Sequence, residues 1–246
     1  MNIVLITQKD PFYLAENIKY LLQKMPEHSK VVGCIVFDVA PFGRKQSLID
    51  QAKDTYKTFG LKFFMHYSWL YLINKFNPKK DVRRVLEEHK VPLIELDKRI
   101  NHKSSIKKIN EYNPDLLVSI AGNQIFKKPI INLAPKGCLN LHTALLPKYR
   151  GLMPSFWVLR NNEKETGVSV FFVDEGIDSG DIVVQKKVTI GNKSQAELIK
   201  VTKKMGMEAI VEAINKINLG DYALIPNPEA DMTYFSKPTR KDVKAF

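Results

Sequence analysis

Asn140 and His142 stand two apart in the otherwise apolar run Gly137-Cys-Leu-Asn-Leu-His-Thr143. Side chains two apart on a strand share a face, so an amide and an imidazole lie side by side at a strand end. Such a pair can donate to a developing oxyanion and manage a proton. Taken alone, it reads as an ordinary strand end with a satisfied histidine. A second segment, Asp174-Glu-Gly-Ile-Asp-Ser-Gly180, joins two strand-like runs and carries a carboxylate, Asp178, that can accept a hydrogen bond from an imidazole. Taken alone, that segment is a tight surface turn in which Gly176 and Gly180 supply positive φ.

The two segments do not stand alone. Asn140-x-His142, the following Leu145-Leu146-Pro147-x-Tyr149-Arg150-Gly151, and Asp174-Glu-Gly-Ile-Asp178-x-Gly180 occur in this order. Together they resemble the formyltransferases that use N10-formyltetrahydrofolate, well over residues 110–185 and loosely at the N-terminal strand. The resemblance implies a catalytic set of Asn140, His142 and Asp178 acting on a tetrahedral oxyanion, with no metal. It also implies a folate wall from Gly122, Asn123, Gln124 and Ile125, with Asp174, Gly176 and Ile177 framing the pterin. Arg150 and Tyr149 are candidate substrate contacts, as are Tyr67 and Trp69 in an aromatic stretch. For Arg150 a loop-holding role is the competing reading, and for Tyr67 and Trp69 core or lid packing.

Positioning these groups requires strands and the helices that cover them. Asn2–Thr7 reads as a buried parallel strand, residues 12–25 as a helix, and Lys30–Val39 as a second strand. Residues 44–90 are mostly helical in pattern. Strands are expected at 91–96 and 115–120, short helices at 103–111 and within 125–133, and a helix at 154–162. Strands at 167–173 and 181–189 come next, then a long helix over 194–219 ending at the C-cap Gly220. The fold class expected is α/β, a Rossmann-like doubly wound mixed sheet with helices on both faces. A catalytic domain over 1–220, with an aromatic-rich helical insertion at about 43–90, would precede a short C-terminal extension over 221–246.

Composition fits a folded cytoplasmic enzyme: 246 residues, 44% hydrophobic and 26% charged. No apolar run approaches a membrane span and no signal peptide is apparent, so no membrane partner is expected. Cys34 and Cys138 read as buried free thiols without metal spacing. The net charge of +12 is spread along the chain. It reads as solvated surface, part of which attracts an anionic nucleotide or a polyglutamyl folate; a nucleic-acid partner is disfavoured.

The acceptor amine rests on departures from the family pattern. Thr7-Gln-Lys-Asp-Pro-Phe-Tyr13 contains no glycine for a backbone phosphate cradle, which disfavours glycinamide ribonucleotide. The chain also ends too soon for the C-terminal domain of a methionyl-tRNA formyltransferase. The expected substrate is a UDP- or dTDP-linked aminodeoxysugar used in surface glycan synthesis, the enzyme being a monomer or homodimer. Formyltetrahydrofolate hydrolysis and a non-catalytic folate- or nucleotide-binding role are the alternatives from other classes.

Overall fold

The computed structural model describes residues 1–39 and 47–246; the beginning of the expected insertion, at about 43, lies outside the described residues. The elements run β1 (Asn2–Gln8), α1 (Leu14–Gln23), β2 (Lys30–Phe37), α2 (Leu48–Phe59), α3 (Leu61–Lys75), α4 (Val82–Glu88) and α5 (Lys103–Asn110). They continue with β3 (Leu116–Ile120), α6 (Lys128–Ile131), β4 (Cys138–His142), β5 (Arg150–Gly151), α7 (Pro154–Arg160), β6 (Glu165–Phe172) and β7 (Ile182–Thr189). The long α8 (Gln195–Leu219), β8 (Tyr234–Phe235) and α9 (Arg240–Lys244) complete the chain.

Six strands form one mixed sheet in the order β2-β1-β3-β4-β6-β7. The first four are parallel, and β6 and β7 are antiparallel to their neighbours. Ile3 to Ile6 of β1 are fully buried, as a strand covered on both faces requires. One face packs Leu139 and Leu141 of β4 with α1, α4 and α8. The other packs Cys138 with Ile109 of α5 and Ile130 of α6. Strand alternation puts Asn140 and His142 on the Cys138 side, at the carboxyl end of the parallel strands, where open α/β sheets bind ligands.

Helix α8 forms because its start and stop signals are both satisfied. Ser194 and Glu197 make a reciprocal capping box, and Gly220 closes the helix in the left-handed conformation. At mid-helix Gly206 meets β4, where an added Cβ would lie 2.5 Å from Leu141 Cδ2. The small residue lets α8 seat directly beneath the strand that carries Asn140 and His142.

Two expectations need correction. The segment 91–96 makes only a single bridge, Cys34 with Leu93; Pro92 has no N–H to donate and the ladder does not extend. Gly176 and Gly180 do not take positive φ; Asp178 itself does, at 50°.

Candidate active site

Register sets the centre of the site. Asn140 lies opposite Ser119 of β3 and Phe171 of β6, and His142 lies opposite Ser169 of β6. The loops leaving β3 and β6 therefore rise on either side of the Asn140–His142 pair. An exposed salt bridge at 3.0 Å runs from Lys128, where the β3 loop enters α6, to Glu175 in the β6 loop.

His142 is 7% exposed, and its Nε2 lies 2.7 Å from the Tyr149 carbonyl. A carbonyl only accepts, so this nitrogen carries its proton in every charge state. Nδ1 faces Asp178 Oδ2 at 3.6 Å, within ion-pair reach but beyond hydrogen-bond length. Proton exchange by this ring thus runs through Nδ1. Asp178 Oδ2 also accepts from the Gly151 N–H at 2.9 Å, leaving Oδ1 open to a ligand. The half-buried Asn140 amide has no hydrogen-bond partner among the described residues.

The β3 loop is held by local bonds. Gln124 Oε1 accepts from the Ile100 N–H at 3.0 Å, and Asn101 Nδ2 donates to the Ile125 carbonyl at 2.7 Å. Asn123 Nδ2 donates to Gln8 Oε1 and to the Asp38 carbonyl. The Gln124 and Asn123 side chains thus tie the loop to its neighbours, with Asn123 Oδ1 buried and without a hydrogen-bond partner among the described residues, while Gly122 and Ile125 are exposed. Gly122 has no room for a Cβ, which would lie 2.5 Å from Ser119 Oγ. Across the site Asp174 Oδ1 accepts from the Gly176 N–H and the Ser179 hydroxyl. The Ile177 side chain stands exposed. Ile125 and Ile177 thus offer apolar surface on the two loops that flank Asn140.

Tyr149 and Arg150 do not reach out to a substrate as expected. The Tyr149 phenol donates to Glu163 Oε1 at 2.6 Å and its ring stacks on Phe235. Burial and the Glu163 bond push that phenol up to about 12. Arg150 is 3% exposed, and its Nη2 donates to the carbonyl and to Oδ1 of Asn227, each at 2.9 Å. Both side chains bond within the protein and hold the loop, although Arg150 Nε is buried without a hydrogen-bond partner among the described residues. Tyr67 packs on Phe12 with ring centroids 4.8 Å apart, and Trp69 is 59% exposed. Both sit beyond the end of β1 on α3, with no hydrogen bond or ring contact to Asn140, His142 or Asp178 among the described residues.

The site also uses residues that carry no local signal in the sequence. Asn227 Nδ2 donates to the carbonyls of Asp178 and Gly180, both at 2.9 Å, while its oxygens receive Arg150. Thr233 bonds the backbone of Tyr149 and Arg150, and β8 pairs with β5. Ser169 takes the Leu146 N–H and donates to Ala144 O, with Gln185 bonding both Ser169 and Leu146. The segment 225–235, expected only as an extension, therefore clamps the catalytic loops. The one cue in the sequence is Asn227 fixed between Pro226 and Pro228.

Among known proteins, the formyl transferase family model matches residues 34–214. A methionyl-tRNA formyltransferase from Kosmotoga olearia is 35% identical over 162 residues, covering 65% of this chain and 52% of that relative. The chain spans about half the length of the curated relatives it matches. Solved structures agree on the fold. Glycinamide ribonucleotide transformylase 1 from Symbiobacterium toebii superposes with a TM-score of 0.63 at 16% identity, covering 92% of this chain and 94% of that one. An N-formyltransferase from Helicobacter canadensis in complex with folinic acid and dTDP-3-aminofucose gives 0.58 at 20% identity, covering 96% of this chain and 70% of that one. Since the family model spans well over half the sequence and takes in every candidate catalytic residue, the chain belongs to the formyl transferase family.

Proposed function

We propose that this protein transfers the formyl group of N10-formyltetrahydrofolate to the amine of a nucleotide-linked aminodeoxysugar, UDP- or dTDP-bound, in surface glycan synthesis in the cytoplasm. The observation that carries formyl transfer is the unpartnered Asn140 amide beside the His142–Asp178 pair. In this reading the Asn140 N–H donates to the oxygen that becomes negative as the amine attacks the formyl carbon. Asp178 Oδ1 receives the amine proton, and His142 with Nδ1 protonated supports the carboxylate from behind. As the tetrahedral intermediate collapses, the bond from the formyl carbon to N10 breaks and N10 takes that proton, releasing tetrahydrofolate. The exposed Ile125 and Ile177 and the unsubstituted Gly122 fit a flat pterin ring between the two loops.

The choice of acceptor is supported by the segment between β1 and α1. Asp10 Oδ1 accepts from the N–H groups of Phe12 and Tyr13 at 2.6 and 2.8 Å. The two N–H groups just before α1 are thus taken by a carboxylate, whose negative charge opposes a phosphate there and disfavours glycinamide ribonucleotide. A second reading, methionyl-tRNA formylation, is favoured by the curated relatives and by the net charge of +12. Tetrahydrofolate release measured with UDP- and dTDP-amino sugars, glycinamide ribonucleotide and methionyl-tRNA separates these readings. Turnover confined to an amino-sugar nucleotide supports the proposal. Turnover with tRNA alone gives the second reading, and turnover without any amine gives a hydrolase.

A further inference from the structure

Helix α3 has ten apolar or aromatic residues among its 15 and buries none of them. One side carries Phe63, Phe64 and Tyr67, which contact Phe59, Tyr56 and Phe12. The opposite side carries Leu61, Met65, Trp69, Leu72, Ile73 and, just past the helix, Phe76. These six are 49% to 78% exposed. They recur at intervals of three and four residues, so they form one continuous stripe. Isolated exposed apolar residues are ordinary, whereas a contiguous stripe of this size marks a contact surface.

Charge around the stripe decides what it contacts. Residues 61–80 contain Lys62, Lys75, Lys79 and Lys80 and no aspartate or glutamate. Lys80 is paired with Glu16, and Lys75 lies over the Tyr71 ring. Lys62 and Lys79 have no acidic partner among the described residues. A second copy of this chain would face stripe to stripe under two-fold symmetry. That contact would bring two acid-free lysine sets together, each in a chain of net charge +12, and like charges across an interface disfavour it. A negatively charged planar surface meets both features at once. Exposed Trp and Phe side chains suit the headgroup level of a bilayer, and lysines beside them are drawn to anionic headgroups.

We propose that the outward face of α3 docks this protein on an anionic lipid bilayer, with Trp69, Leu72 and Phe76 at the headgroup boundary and the lysines against lipid phosphates. The docking is peripheral: no described helix is long and apolar enough to cross a membrane. It runs against the sequence expectation of no membrane partner, and it does not depend on which amine is formylated.

Co-sedimentation with vesicles of phosphatidylcholine alone, and of phosphatidylcholine mixed with phosphatidylglycerol, tests the proposal. Binding is expected only to the mixed vesicles and should weaken with added salt. The variant Met65→Gln/Leu72→Gln/Phe76→Gln changes exposed positions only, and unfolding at the wild-type temperature shows that its fold is intact. It should bind mixed vesicles at least about tenfold more weakly. Replacing Lys62 and Lys75 with glutamine should cost about fivefold each. In a Trp157→Phe background, Trp69 emission should shift to the blue on adding mixed vesicles. Absence of binding, or binding unaffected by the apolar variant, overturns the proposal. A dimer in size-exclusion chromatography that the same variant dissolves, without vesicle binding, assigns the face to a second copy instead.

Discussion

Replacing Asn227 with alanine tests whether the segment after β7 positions the catalytic loop. The side chain makes three hydrogen bonds, each at 2.9 Å: two donations, to the Asp178 and Gly180 carbonyls, and one acceptance from Arg150 Nη2. Truncation leaves two largely buried carbonyls without this donor, while the Asn227 carbonyl still receives Arg150. Losses of this kind come to about 2–4 kcal/mol in total. In a domain of this size, that corresponds to a fall in melting temperature of about 5–15 °C. Because Asp178 takes positive φ and both its carbonyl and its carboxylate are tied, loss of one tie should let the carboxylate drift. A drift of about 1 Å costs roughly a hundredfold in rate. Thermal unfolding read beside kcat and folate affinity is the assay, with kcat expected to fall ten- to a hundredfold at near-native folate binding. Asn227→Asp, which keeps the acceptor for Arg150 but loses both donors, should show the same drop in kcat with a smaller stability loss. A melting temperature and kcat both equal to wild type would refute the positioning role. Lost stability with unchanged kcat would refute its link to catalysis.

The site geometry sets three further outcomes. Asn140→Ala should lower kcat/KM about 10²- to 10³-fold, the effect of losing one oxyanion donor, with an unchanged melting temperature because the amide holds nothing in the protein. Asp178→Asn keeps an acceptor for the Gly151 N–H, so the protein should unfold as wild type while kcat falls about 10²- to 10⁴-fold; a rate within twofold of wild type contradicts the assigned role. The Tyr149 phenol, raised from 10.0 to about 12 by burial and by Glu163, is favoured neutral in the fold. The stability it contributes is full below pH 10 and is lost as pH rises through about 12. Denaturant midpoints measured across that range should fall in wild type as this component is lost, and Tyr149→Phe, which has no phenol to titrate, should lack that fall.

Much of the frame was legible because it rests on local pattern. Continuous apolar runs marked β1 and β3, helical spacing closed by Gly220 marked α8, and the polar pair within an apolar strand marked β4. The framing loop around Asp178 was legible through its acid and glycine content, although the residue that bends it is Asp178 rather than either glycine. What sequence could not convey is pairing at long range. Asn227 and Thr233 bond residues 47 to 84 positions away, and Ser169 holds a loop 23 to 25 residues before it. Arg150 shows the same limit from the other side. An arginine in a loop suggests ligand binding by its type, and only the fold reveals that its guanidinium is buried against Asn227.

The most direct test of the central claim is formyl transfer itself. The purified chain is incubated with N10-formyltetrahydrofolate, with and without a UDP- or dTDP-linked amino sugar, beside Asn140→Ala as control. Tetrahydrofolate and an N-formylated sugar should form in equal amounts, strictly dependent on the amine and reduced at least about a hundredfold in the variant. Tetrahydrofolate formed without an amine, or none formed with any amine supplied, would contradict it.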